Sequence, residues 1–103
     1  MERRLAAILA ADVVGYSRLM GRDEAGTLAA LNTLRAELVD PKILGQKGRI
    51  FKATGDGVLA EFPSVVNAVA CAVDIQRGIQ ARNADLPDER AIRVQFPLVL
   101  VCF

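Results

Sequence analysis

The chain has 103 residues, of which 52% are hydrophobic and 24% charged, and its formal net charge is +1. This length suits one domain with one core, and the near-neutral charge argues against a general attraction to nucleic acid or to an anionic membrane. The lack of histidine and the presence of only two cysteines exclude His-ligated zinc, His acid–base chemistry and a disulfide framework, so any metal is expected to be a hard cation on oxygen ligands.

The first apolar run, Leu5 to Ala11, follows Arg3-Arg4 and ends at Asp12. It has some features of a signal peptide, but it is short for one, and a buried strand explains it better. Because it is apolar on both faces, it predicts a central strand, although its alanines leave a helix open. No stretch approaches the ~20 apolar residues of a membrane span, so we expect a cytoplasmic protein without one.

Two helical segments are predicted next. Asp23 is a plausible N-cap for a helix whose leucines recur at roughly helical spacing. Asp40-Pro41 is typical of a second cap, with proline in the first turn of a short helix that ends by Gly48. The leucines of the first segment are Leu28, Leu31, Leu34 and Leu38.

The remaining elements are a hairpin, a long helix and a last strand. Arg49–Ala53 and Val58–Phe62 flank the Thr54-Gly-Asp-Gly57 turn, which is a good hairpin signal. Ser64 is expected to cap the helix that follows, in which Cys71 is predicted to be a small packing residue. After a polar loop over 83–89, alternating apolar residues predict the last strand, namely Ile92, Val94 and Phe96.

This order is the βαββαβ pattern of an α+β, ferredoxin-like sandwich, an antiparallel sheet with helices on one face. The first and third strands are then central neighbours, so Asp12 and Asp56 are expected at the same sheet edge. Two such carboxylates suit a pair of magnesium ions held against nucleotide phosphates. Taken singly, Asp56 is equally well explained by a tight hairpin and Asp12 by a helix cap.

Two motifs, Ala11-Asp12-Val-Val-Gly15-Tyr16-Ser17 and Lys52-Ala-Thr-Gly55-Asp56-Gly57, resemble those of class III nucleotidyl cyclases of the bacterial adenylate cyclase type. Their spacing and the element order agree with that family, as does Phe62-Pro-Ser-Val-Val-Asn-Ala. The resemblance covers roughly residues 3–94. It implies an enzyme that converts ATP to cyclic AMP and pyrophosphate.

The resemblance also implies roles for individual residues. Asp12 and Asp56 match the two catalytic, metal-binding aspartates, and the Val13 carbonyl matches a further ligand of one of two Mg²⁺ ions, for which Mn²⁺ is an alternative. The backbone from Val14 through Gly15 and Tyr16 to Ser17 matches the loop that holds the terminal phosphates. Lys52 matches the lysine that recognises adenine. Without the resemblance, a solvated strand lysine is the better interpretation of Lys52.

The sequence departs from the family pattern at about Gln95, where Phe96-Pro97-Leu-Val-Leu-Val-Cys-Phe103 replaces a glycine-containing strand end. We therefore divide the chain into a partial cyclase domain, residues 1–96, and a divergent apolar tail, residues 97–103, which suggests a truncated or frame-altered domain. Pro97 is expected to disturb the strand because it lacks an N–H. The family's second base-reading residue and its asparagine and arginine for ribose and transition state have no match here.

Family active sites form between two head-to-tail domains, so the resemblance implies a homodimer, or a heterodimer with another cyclase domain. Alone, the chain is expected to be nearly inactive. The alternative is a non-catalytic module that binds nucleotide and magnesium, or that pairs with an intact cyclase. A ferredoxin-like domain for another small ligand is a third interpretation.

Overall fold

The computed structural model describes residues 6–102, with side-chain surroundings for residues 7–97. Within that part of the chain, four antiparallel strands form one sheet in the order β2-β3-β1-β4. The strands are β1 (Ala6–Val13), β2 (Arg49–Ala53), β3 (Gly57–Phe62) and β4 (Val94–Cys102). The helices are α1 (Tyr16–Arg22), α2 (Glu24–Leu34), α3 (Asp40–Gly45) and α4 (Val65–Asn83), with a π-helical turn, Arg35–Val39, between α2 and α3.

The predicted α+β sandwich is confirmed, with β1 and β3 as central neighbours. One face of the sheet is buried under the helices, because alternate residues of each central strand point the same way. Val58, Ala60 and Phe62 of β3 lie on that face, where all three are buried. They pack with buried residues from the helical layer, Leu34, Leu38, Val39, Ile43, Ala68, Cys71, Ile75 and Ile79.

Two predicted N-caps are confirmed. The Asp23 carboxylate accepts a hydrogen bond from the Gly26 N–H at 3.0 Å, and the Ser64 hydroxyl accepts one from the Asn67 N–H at 3.1 Å. Each side-chain oxygen satisfies an N–H that has no partner within its own helix. Both helices therefore begin where the sequence indicated.

The predicted cap at Asp40 is wrong, because the helix does not stop there. Asp40 lies inside a continuous helical segment, where its carboxylate accepts a hydrogen bond from the Arg35 guanidinium at 3.3 Å. Pro41 has no N–H, so it cannot donate the usual helical hydrogen bond to the carbonyl four residues earlier. The helix continues through a π-helical turn at Arg35–Val39 rather than breaking. In that turn the Asp40 N–H donates to the Arg35 carbonyl, five residues back.

The last strand runs through Pro97, but with the expected disturbance. Ala10 pairs with Leu98 and Asp12 with Gln95, so Phe96 and Pro97 together stand opposite the single residue Ala11. This β-bulge on an edge strand is a place where a missing N–H is tolerated. Because β4 continues to Cys102, Pro97 does not end the strand, and the division of the chain at 96/97 stays a prediction.

Some sequence-based interpretations concern residues outside the described part. They are the signal-peptide-like start at Arg3-Arg4, Leu5 as the first strand residue, and Phe103 at the end of the apolar tail. Among the residues that are described, none of the helices is both long enough and apolar enough to span a bilayer.

Candidate functional site

The pairing of β1 with β3 joins the two sequence motifs. Asp12 lies opposite Gly57 in the register, and the Val13 N–H donates to the Asp56 carbonyl at 2.8 Å. Gly57 permits this close approach, since a methyl group there would lie 2.7 Å from the Ala11 carbonyl oxygen. The end of β1 and the tip of the β2–β3 hairpin therefore form a common rim that carries both aspartates.

Asp12 is half-buried, and its Oδ1 has no hydrogen-bond partner among the described residues. A buried carboxylate oxygen without a partner is costly, and such groups are rare in folded proteins unless a ligand or water satisfies them. It is the one buried side-chain oxygen or nitrogen within residues 7–97 left in this state. The Asp12 Oδ1 therefore needs a partner that residues 7–97 do not provide, such as water or a bound ligand.

Asp56 is also half-buried, but one of its oxygens is held. The Thr54 hydroxyl lies 3.2 Å from Asp56 Oδ1, and the Thr54 N–H donates to the Gly57 carbonyl at 2.8 Å, which closes the hairpin. Oδ2 is left for a ligand. Sequence reasoning missed Thr54, although turn hydroxyls commonly bond to nearby backbone, as the Thr54 hydroxyl also does with the Gly57 carbonyl at 3.4 Å.

The turn after β1 depends on the backbone conformation of its glycine. Gly15 adopts φ 68°, a left-handed conformation that glycine reaches without strain. The Val14 N–H donates to the Arg93 carbonyl at 2.8 Å. The turn is short, because α1 already begins at Tyr16.

Tyr16 connects this turn to the hairpin. A methyl group added at Gly55 would lie 2.8 Å from the Tyr16 hydroxyl, so the phenol covers the Gly55 backbone. Ser17 is exposed beside it. The loop Val14–Ser17 and the hairpin tip are thus held against each other by the Tyr16 ring and by the backbone hydrogen bond from Val13, just before the loop, to Asp56.

Lys52 shares an open groove with the two aspartates. About 570 Å³ of space, open to solvent, lies on the sheet face away from the helices and is lined by Asp12, Asp56 and Lys52 with Leu59 and Pro97. The Lys52 side chain is exposed and forms no ion pair within residues 7–97. Val13 and the four loop residues, Val14, Gly15, Tyr16 and Ser17, do not line this groove.

The donor set at the rim suits a hard cation. It comprises the carboxylates of Asp12 and Asp56 and the neighbouring backbone carbonyl of Val13, all oxygen donors of the kind that Mg²⁺ and Mn²⁺ take. No cluster of three or more Asp, Glu or Cys side chains able to bind a metal is found over residues 7–97. A cation here would therefore need further ligands, such as water or phosphate oxygens, which is how Mg²⁺ is usually held.

Comparisons with known proteins give close matches over nearly the whole chain. It is 56% identical over 92 residues, 89% of the chain, to the Rhizobium meliloti (strain 1021) protein named "Putative adenylate cyclase 3". It is 45% identical, with a TM-score of 0.82 over 97% of its length, to the crystal structure of an adenylate/guanylate cyclase/hydrolase from Silicibacter pomeroyi. No protein-family profile matches the chain.

A more distant match shows the fold alone. The guanylate cyclase domain of RhGC from Catenaria anguillulae, solved in complex with GTP, is 17% identical with a TM-score of 0.78 over 99% of the chain. The chain spans 16% of the Rhizobium protein, 56% of the Silicibacter chain and 58% of the Catenaria chain.

Proposed function

Since this chain belongs to the class III nucleotidyl cyclase family, we propose that it is an adenylate cyclase domain that supplies the metal-binding half of an active site. The reaction is the conversion of ATP to cyclic AMP and pyrophosphate. The observation that carries the proposal is the unsatisfied Oδ1 of Asp12, held beside Asp56 by the β1–β3 pairing.

In this proposal Asp12, Asp56 and the Val13 carbonyl hold two Mg²⁺ ions, or Mn²⁺ in their place. When bound, the cations lower the pKa of the ribose 3′-hydroxyl and neutralise charge on the phosphates. The loop Val14–Ser17 receives the terminal phosphates. Lys52 would read adenine at the site whose metal ions the partner domain holds, because the family takes the aspartates from one domain and the lysine from the other. These groups position the 3′-oxygen in line with the bond that breaks. Such positioning, together with stabilisation of the phosphate charge, lowers the activation free energy.

The reaction itself exchanges one bond to phosphorus for another. The 3′-oxygen forms a bond to the α-phosphorus and gives up its proton to water. The bond from the α-phosphorus to the oxygen that bridges to the β-phosphate breaks, and pyrophosphate leaves. Developing negative charge is stabilised by cations, and a missing transition-state cation commonly costs about 10³-fold or more in rate.

We propose that a second cyclase domain completes the site. The asparagine and arginine expected of the family have no match in these 103 residues, so these residues by themselves do not provide those groups. A complete partner domain would supply them, while this chain supplies Asp12 and Asp56. The chain alone is accordingly expected to have little or no activity.

A complementation assay tests this function. The partner is the cyclase domain of the Rhizobium relative with its own metal-binding aspartates changed to Asn, which should be inactive by itself. Mixing it with this chain should restore cyclic AMP formation in Mg²⁺, and Asp12→Asn or Asp56→Asn in this chain should reduce that rate about 100-fold or more. Asp85→Asn, a carboxylate change in an exposed loop, is the matched control and should not alter the rate.

The alternative is a non-catalytic module that binds nucleotide and Mg²⁺. It is supported by the same rim, which does not by itself require turnover. Mg²⁺-dependent ATP binding that Asp12→Asn removes, without restored turnover in the mixed assay, would select this alternative. Absence of both binding and turnover would reject the cyclase assignment for this chain and leave a ferredoxin-like domain for another ligand.

A further inference from the structure

We propose that the Arg18 guanidinium binds the terminal phosphates of the nucleotide. This deepens the function proposed above, because it names a contact at the same site. It is drawn from where the Arg18 side chain lies, which the sequence motifs did not indicate.

Arg18 lies over the turn that follows β1. A methyl group added at Gly15 would be 3.1 Å from Arg18 Nη2 and 3.7 Å from both Cζ and Nε. The side chain therefore folds back along the first turn of α1 and places the flat guanidinium against Gly15. That glycine is three positions beyond Asp12, so the cation is close to the end of the strand that carries the first aspartate.

The charge on Arg18 is not neutralised by the rest of the described chain. Within residues 7–97 it forms no ion pair and no side-chain hydrogen bond, and it is exposed. Four other arginines in the same part have carboxylate partners, whereas Arg22, Arg77 and Arg90 form no ion pair there either. The paired arginines are Arg35 with Asp40, Arg49 with Glu61, Arg82 with Glu37 and, more loosely, Arg93 with Asp88. What distinguishes Arg18 is the position of its guanidinium against Gly15.

A nucleotide with several phosphates fits this arrangement better than a nucleoside monophosphate does. Cations at Asp12 and Asp56 would attract the phosphates to the rim, and the Gly15 turn lies beyond Asp12 along the chain. A chain of several phosphates can extend from the rim to the Gly15 turn. There the Arg18 guanidinium can bind two phosphate oxygens at once, because its N–H donors form a planar fork. Arg18 should therefore distinguish ATP from AMP.

The test compares nucleotides that differ in their number of phosphates. Calorimetric titrations with ATP and AMP, each in Mg²⁺, are made with the unchanged chain, Arg18→Gln, Arg18→Lys and Arg22→Gln. Arg22 is the matched control, since it is an exposed arginine of the same helix that lines a different groove. We expect Arg18→Gln to weaken ATP binding about 10-fold and to leave AMP binding unchanged. Arg18→Lys should keep part of the affinity, and Arg22→Gln all of it.

An equal loss for ATP and AMP, or a loss as large in Arg22→Gln, would overturn the proposal. Inorganic tripolyphosphate in Mg²⁺ separates it from the proposed function. If tripolyphosphate binds in an Arg18-dependent way while the complementation assay shows no cyclic AMP, the Arg18 contact stands and the cyclase function fails. If cyclic AMP forms but Arg18→Gln changes neither ATP nor tripolyphosphate binding, the function stands and the Arg18 contact is wrong.

Discussion

Thr54 and Asp56 show how a single hydroxyl prepares a carboxylate for a ligand. With its Oδ1 3.2 Å from the Thr54 hydroxyl, the Asp56 side chain is restrained in its orientation. Hydrogen bonds to a metal-binding carboxylate fix its orientation, and their loss typically costs 10- to 100-fold in affinity. Thr54 would therefore be a positioning residue in the proposed site.

We predict that Thr54→Val weakens Mg²⁺ binding about 10-fold, while Thr54→Ser restores it, because only the hydroxyl matters. The measurement is the Mg²⁺ concentration that gives half-maximal ATP binding. Thr33→Val, which removes an exposed hydroxyl on α2, is the control and should leave that concentration unchanged. A Mg²⁺ requirement that is the same in Thr54→Val and the unchanged chain would count against the positioning role.

Cys71 illustrates the opposite case, a reactive group made inert by packing. Its thiol is fully buried, and burial, reinforced by the nearby Asp74 carboxylate, raises its pKa from 9.0 to about 11. The folded state therefore keeps the thiol proton that the unfolded chain releases above pH 9.0. The resulting contribution to stability is complete below pH 9.0 and is lost as pH rises through about 11.

We predict that Cys71 in a Cys102→Ser background does not react with a disulfide reagent at pH 8 until the chain unfolds, because the thiolate is the attacking form. The rate of reagent release, followed with and without urea, measures this. Between pH 9.0 and 11 the free energy of unfolding should also fall. Cys71→Ala should flatten that dependence; a rapid reaction in the native protein would contradict the prediction.

At the scale of elements, the β1–β3 contact depends on the small size of Gly57. A methyl group there would be 2.7 Å from the Ala11 carbonyl and 3.3 Å from Asp12 Cβ, and backbone atoms cannot move aside cheaply. Gly21 in α1 has nothing within 4 Å of the same added group. Substitution by alanine is therefore expected to change stability in opposite directions at Gly57 and at Gly21.

Gly57→Ala is expected to destabilise the chain by roughly 1–3 kcal/mol through overpacking at the strand pair. Gly21→Ala is expected to stabilise it by up to about 1 kcal/mol, since alanine is the better residue within a helix. Urea unfolding of both variants measures the difference. Equal effects of the two changes would show that the rim does not require the close approach.

Much of this layout followed from the sequence, because it rests on patterns with a local physical cause. Asp23 and Ser64 cap helices, and the hairpin turns at Thr54–Gly57, as their residue types indicated. The helix α1 was missed because it buries no residue and so leaves no apolar period. The continuous helix at Asp40 was missed because a π-helical turn has no sequence signature as plain as a cap.

Within the site, the sequence predicted which backbones meet but not which side chains touch. Topology alone places the end of β1 beside the start of β3, so the proximity of Asp12 and Asp56 was foreseeable. The contacts of Thr54, Tyr16 and Arg18 depend on rotamers within turns, which residue spacing does not determine. The metal ligands themselves stay a prediction from the family resemblance.

At the scale of the whole molecule, the helices pack on one face of the sheet, and the other face points away from them. Alternation with the buried residues places Ile8, Ala10 and Leu59 on that outward face, and all three are half-buried. The groove with Asp12, Asp56 and Lys52 opens on the same side. A partner domain that completes the proposed site would therefore meet the sheet on this face rather than over the helices.

The location of the two aspartates on separate strands has a thermodynamic consequence. Asp12 and Asp56 are distant in sequence and become neighbours only once β1 and β3 have paired, so the disordered chain offers a divalent ion no equivalent site. Any ligand that binds only the native state multiplies the ratio of folded to unfolded chain by 1 + L/Kd, where L is the free ligand concentration. Free Mg²⁺ in solution would then raise the free energy of unfolding of this domain, and its removal would lower it.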